Sequence, residues 1–299
     1  MRKYVIVGVV VAGLGMSACG ATTATLDSTM DSVSSQPALE LHITASFSGP
    51  GMTQIQQYAN DISLDVVEVN PNGGDLTQTS ALDEDVTVNV GSGALLELRD
   101  VGGNAYVKVD LSTLTSLPAV NISPSDIAAF NLLFGGRWFE IPASLIKSLV
   151  AKEQTSTTPT KQETQDVNTL RQAIIHIIET THSTSLSGGG YSESATLASF
   201  VHKLWPTIQS LGLSGVSEPT GVKGSYTLSM TTSGSTLTGA SVSITAPNSN
   251  GSGNDTVALT TTVSHNSETI TAPAGATVVT KQLIQELENE AGTASPLAS

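Results

Sequence analysis

The chain has 299 residues, with 26 acidic against 12 basic side chains and a net charge of −14; a surface of that sign repels phosphates, which excludes nucleic-acid binding and a polybasic contact with anionic lipid. Its one cysteine excludes an intramolecular disulfide. Hydrophobic residues make up 39% but aromatic ones 4%, so the core must be built from thin aliphatic side chains, in one large domain or two small ones.

Arg2 and Lys3 precede an unbroken apolar run, Tyr4 to Val11, followed by Ala12-Gly13-Leu14-Gly15 and Met16-Ser17-Ala18-Cys19. A basic start, a short apolar core and small residues at its end predict an export leader, and the run is too short to cross about 30 Å of hydrocarbon. The ending resembles the lipobox of bacterial lipoproteins, with Met16 where Leu is usual. That resemblance implies removal of residues 1–18 and a diacylglyceryl thioether, with acyl chains such as palmitate, on Cys19. An ordinary leader cut after Ala18 or Ala21 is the alternative, but it leaves a lone thiol in an oxidising compartment. At about 0.8 kcal/mol per buried CH2, two acyl chains hold a protein to the outer, extracytoplasmic face of the cell membrane, and no later segment is apolar enough to span it. Loss of Arg2 and Lys3 leaves 10 basic against 26 acidic residues, a mature charge of −16.

Residues 19–37 show no apolar period and predict a flexible tether of about 23 Å root-mean-square span. From Leu39 the period becomes two: Leu39, Leu41, Ile43, Ala45 and Phe47 alternate with polar residues, which predicts a half-buried strand ended by Ser48-Gly49-Pro50-Gly51. Ile62, Leu64 and Val66 start a second strand, broken by Asn70-Pro71-Asn72-Gly73-Gly74. Val86 to Val90, Ala94 to Leu98 and Ala105 to Val109 predict three more, joined by hairpin turns at Gly91-Ser92-Gly93 and Asp100 to Asn104.

The middle predicts helices. Ser123-Pro124-Ser125-Asp126 supplies a cap, a Pro at the first helical position and an acid three residues after the cap. Gly135-Gly136 stops that helix, Arg137 to Ile141 reads as a strand, and Pro142 opens a second helix bearing Leu145, Ile146, Leu149 and Val150. Residues 151–165 read as an exposed loop. Asp166 caps a helix with Val167, Leu170, Ile174, Ile177 and Ile178 on one face, running to about His182, and residues 187–190 are a break. The most amphipathic stretch follows: Leu197, Phe200, Val201, Leu204, Trp205, Ile208 and Leu211, with Pro206 predicted to kink or divide it. Strands return at Tyr226 to Met230, Leu237 to Thr245 and Thr256 to Val263, with a short one around Ile270 and a last helix from Lys281 to Glu290. Strands, helices, then strands predict an α+β domain over residues 38–291, one antiparallel sheet with helices on one face, and a disordered tail at 292–299.

Asn104-Ala105-Tyr106-Val107-Lys108-Val109-Asp110 and Gly135-Gly136-Arg137-Trp138-Phe139-Glu140-Ile141-Pro142, set behind the Cys19 lipobox and a polar tether, resemble phrases of the actinobacterial lipoproteins of the LppX and LprG type, which share the LolA-like fold. The likeness extends over nearly the whole chain. It implies a strongly curved antiparallel sheet, a half-barrel, with helices packed on its concave face and an apolar cavity holding a lipid or glycolipid. It transfers no catalytic residue and no cofactor.

For the lining, the apolar helix faces nominate Leu197, Val201, Leu204 and Ile208, with Ile174 and Ile178 opposite. The competing classes are a structural or sensory envelope lipoprotein with a filled core, and a hydrolase using Ser144 and Lys147. That pair has the Ser-x-x-Lys spacing that sets both groups on one helix face, but the companion motifs of such enzymes are missing, so the chain is expected not to be an enzyme. His176, Glu179 and His182 spread over a third of a helix circumference, and Asp83-Glu84-Asp85 reads as a charged turn without the rest of a calcium loop; no metal is expected. His42 and His202 are expected to face solvent or a satisfied neighbour, and Trp138 and Trp205 to lie in a core or at a lipid mouth. The partners expected are the lipid or glycolipid and the membrane that holds the Cys19 anchor, with a lipid transporter as an open further partner.

Overall fold

The computed structural model describes residues 33, 35–76, 82–117, 123–153, 169, 173, 184–185, 190–211, 217–234, 236–248, 250–265 and 269–283. Strands β1 (Ala38–Ser48), β2 (Ile62–Val69), β3 (Asp83–Val90), β4 (Gly93–Val101), β5 (Asn104–Val109) and β6 (Phe139–Ile141) form the first block. The second comprises β7 (Thr184–Ser185), β8 (Gly190–Thr196), β9 (Ser225–Ser233), β10 (Thr236–Pro247), β11 (Asn254–Ser264) and β12 (Thr277–Val278). All belong to one open sheet in the order β12-β6-β5-β4-β3-β2-β1-β11-β10-β9-β8-β7, antiparallel except for the β12–β6 pair. The helices are α1 (Thr53–Ala59), α2 (Pro124–Leu133), α3 (Ala143–Glu153) and α4 (Leu197–Ser210), with a 3-10 turn at Leu111–Ser116. The two strand blocks share one sheet because β1 is paired on both sides, with β2 and with β11.

The alternation read from the sequence becomes two faces once the register is known. Leu41 stands opposite Val66, and the row continues through Val86, Leu98 and Val107 to Phe139. On the other flank Ala45 begins a row through Leu259, Val242 and Leu228. These rows make one face apolar from β6 to β9. The opposite face carries His42, Asp65, Thr87, Glu97 and Lys108 in one row, and Thr44, Thr260, Ser241, Ser229 and Ser192 in another. Its hydroxyls bond across strands, Ser192 with Ser229 at 3.2 Å and Ser194 with Thr227 at 2.8 Å.

Two hairpins use the same device. In the β2–β3 connection the Asn72 amide donates to Asn70 Oδ1 at 3.0 Å, the Gly73 amide to the Asn70 carbonyl at 2.9 Å, and Asn70 Nδ2 to the Asp75 carbonyl at 2.9 Å. In the β10–β11 connection the Asn250 amide donates to Asn248 Oδ1 at 2.7 Å, the Gly251 amide to the Asn248 carbonyl at 3.0 Å, and Asn248 Nδ2 to Asp255 Oδ2 at 2.9 Å. Both asparagines are buried, and Gly73 and Gly251 take φ of 73° and 69°, the left-handed region that the turn requires. Asn248→Ala should therefore lower stability by about 1–3 kcal/mol, read as a shift of the urea midpoint, because the turn amides lose a buried acceptor. Asn250→Ala, which leaves that acceptor in place, should cost much less.

Several expectations are corrected. Helix α1 was not expected: none of its residues is buried, so no apolar stripe marks it. The strand expected at Arg137 to Ile141 shrinks to Phe139–Ile141. The residues before the amphipathic helix form β8, hidden in the sequence because Glu193 takes an inward position opposite Leu228. Its carboxyl accepts from the buried Tyr226 hydroxyl at 2.8 Å, so the polar group has a partner at that inward position. Asp83-Glu84-Asp85 is the start of β3 rather than a turn. Ile270 is buried but lies in no strand; the strand is β12, where the Thr277 and Val279 amides donate to the Trp138 and Glu140 carbonyls at 2.8 Å. Pro206 does not divide the amphipathic helix, which runs unbroken from Leu197 to Ser210. Thr196 caps the helix, its Oγ1 accepting from the Ser199 amide at 3.2 Å. Helix α2 begins at the expected Pro124, and α3 extends to Glu153.

Candidate functional site

The apolar face of the sheet is unevenly covered. A closed cluster sits along the rows of Leu39 and Leu41: these residues with Val66, Leu76, Met230 and Val263 are buried. Away from it the same face is only part-buried at Val88, Leu96, Leu228, Val242 and Leu259, and Ile62 and Ile244 are exposed. The cause lies in the sequence, since Val, Leu and Ala side chains rise only a short way from a sheet about 45 Å wide over its ten central strands.

Helix α4 borders the β8–β9 flank of this face. Its Phe200 ring meets Tyr226 edge-on at 5.4 Å between centroids, and the Leu197 amide donates to the Gly224 carbonyl at 3.0 Å. Leu197, Val201, Leu204 and Ile208 are all part-buried, whereas Trp205 is buried with no hydrogen-bond partner at Nε1. Thus the four nominated residues of α4 share a helix that touches the apolar face. Ile174, Ile178 and Cys19 lie outside the described residues, as do His176, Glu179 and His182.

No protein-family model matches this chain, and no curated protein matches it.

The remaining chemistry is on the polar face. His42 Nδ1 and Asp65 Oδ1 are 2.5 Å apart, and Asn89 Nδ2 donates to Asp65 Oδ2 at 2.5 Å. His202 Nδ1 lies 3.0 Å from Glu218 Oε1. Both histidines therefore have a satisfied, solvent-facing neighbour. Arg99 binds Asp85 at 2.8 Å and Lys108 binds Glu97 at 2.6 Å, and the two cations lie 4.9 and 5.8 Å from the Trp138 ring. Burial pushes the Asp85 carboxyl up from its ordinary range, against the pull of the Arg99 guanidinium. Trp138 is thus held in a cationic bracket among strands β4 and β5. Ser144 and Lys147 are exposed on α3, and among the described residues no group of three or more His, Cys, Asp or Glu is placed to hold a metal ion.

Sequence reading missed one constellation. Glu68 faces the apolar side, opposite Leu39 on β1 and opposite Glu84 on β3, and Glu84 in turn stands opposite Asp100 on β4. Glu68 is 7% exposed, and burial, with Glu84 beside it, pushes its carboxyl up to about 7. The available signal was Glu68 falling in phase with Leu64 and Val66, an acid at a core position of the period.

Proposed function

We propose that the chain is an envelope lipoprotein of the LppX and LprG kind, anchored through Cys19 to the outer face of the cell membrane, which binds or carries a lipid or glycolipid against the apolar face of its sheet. The observation that carries this reading is the apolar face from β6 to β9, continuous across strands yet part-exposed on both sides of a small closed cluster. In this reading the sheet curves into a half-barrel, and the helices, including α4 and the one bearing Ile174 and Ile178, close over acyl chains that fill what thin side chains leave open. No helix among the described residues is long and apolar enough to cross a membrane, so attachment in this reading depends on the diacylglyceryl group. The pair Ser144 and Lys147 plays no part in it, and binding needs no enzyme activity.

The test uses protein extracted from the envelope. Wild-type protein should partition with the membrane and release lipid in near-stoichiometric amount on solvent extraction, identified by mass spectrometry. Cys19→Ala should move the protein into the soluble fraction while the extractable lipid stays with it. Leu204→Trp, which fills the α4 side of the proposed cavity, should lower lipid occupancy several-fold without loss of fold. Protein that carries no lipid and takes up none from envelope extract would instead favour a structural lipoprotein.

A further inference from the structure

The row Glu68, Glu84 and Asp100 crosses three adjacent strands near the end of the sheet where the chain enters from its N-terminal side. Directly opposed like charges on neighbouring strands repel, because their Cβ atoms stand only about 5 Å apart. Glu68 is more than nine-tenths buried, so it can shed that charge only by taking up a proton or by opening the structure around it. We propose that Glu68 and Glu84 form a proton-operated fastener on this end of the β2–β3 pair, shut while Glu68 holds a proton and loosened when both carboxyls are ionised.

The surroundings give the fastener its leverage. On β1 the neighbour of Glu68 is apolar Leu39, and one residue past the last paired position the register brings His265 to the far side of Leu39. On β3 it is Glu84, with Asp100 of β4 beyond. The cations of these strands, Arg99 and Lys108, stand on the other face, bound to Asp85 and Glu97. Residues 70–76 close the end: the Asn70 amide donates to the Pro37 carbonyl at 2.8 Å, and the Leu76 amide to the Gln36 carbonyl at 3.0 Å, which sets Leu76 into the cluster with Leu39 and Val66. Burial first, and then the field of Glu84, raise the Glu68 carboxyl to about 7, so the change falls near neutral pH. Opening at this end uncovers Leu39, Val66 and Leu76 while leaving the Ile62–Val90 end of the same strand pair intact. The device stands whether or not the apolar face holds a lipid.

Amide hydrogen exchange on the full chain in detergent micelles tests this, with rates corrected for the pH dependence of free amides. Between about pH 5 and about pH 8, protection at Val67 and Val69 should fall about tenfold or more, while Ser63 and Asn89, paired at the other end of the same two strands, hold steady. Glu68→Gln should flatten the response, and Glu84→Gln should flatten it independently should the first variant fold poorly. Equal loss of protection at both ends, no pH response in wild type, or a response that survives in a folded Glu68→Gln or Glu84→Gln protein would overturn the proposal.

Discussion

Glu68→Gln is expected to leave the protein more stable than wild type above neutral pH and to remove most of the difference in acid. The folded carboxyl stands at about 7 against an ordinary 4.5, raised first by burial and then by Glu84. Because the folded value is the higher one, the native state binds more protons than the unfolded chain within that window, and stability falls as pH rises through it. Below about 4.5 Glu68 is neutral in both states and costs nothing; above about 7 the loss is complete, on the order of 3 kcal/mol. Urea midpoints measured from about pH 4 to about pH 8 should fall for wild type relative to Glu68→Gln, with the gap opening across the window. A constant gap, or one widening toward acid, would show that Glu68 is solvated. Asp85, also raised, adds a slope of the same sign to both proteins and cancels in the comparison.

Leu41→Ala should cost about 2–5 kcal/mol, the range for deleting a buried leucine from a packed site. Leu41 is 1% exposed and sits where the two halves of the sheet meet, with Val66 of β2 on one side and Val263 of β11 on the other. A cavity there weakens both halves at once. Ile244→Ala, on the same apolar face but 41% exposed, should cost under about 1 kcal/mol in lipid-free protein. The contrast, measured by chemical denaturation with and without bound lipid, bears on function. If Ile244→Ala is as damaging as Leu41→Ala in lipid-free protein, that flank of the face is packed by the chain itself, and the structural reading gains over the carrier.

By itself the sequence determined which side chains of the long strands point the same way, because alternation is a local property of the extended backbone. Leu39, Leu41 and Ile43 had to share a face, and so did Leu64 and Val66, whatever their partners. Capping chemistry likewise located the start of α2 at Pro124, and the apolar period that of α4 at Leu197. Short elements with no apolar stripe escaped it: α1 buries nothing, β8 spends an inward position on Glu193, and β12 holds two exposed residues paired to β6. What only the tertiary structure decided is partnership. Whether β1 pairs with β11 as well as β2, and hence whether the two strand blocks make one wide face, depends on contacts far apart in the chain that no local period encodes. The same holds for Glu68. Its in-phase position was visible, but that it meets Glu84 rather than a cation follows from the β2–β3 register, in which a slip of one residue would have set it against Asp85 or Asp83 on the other face.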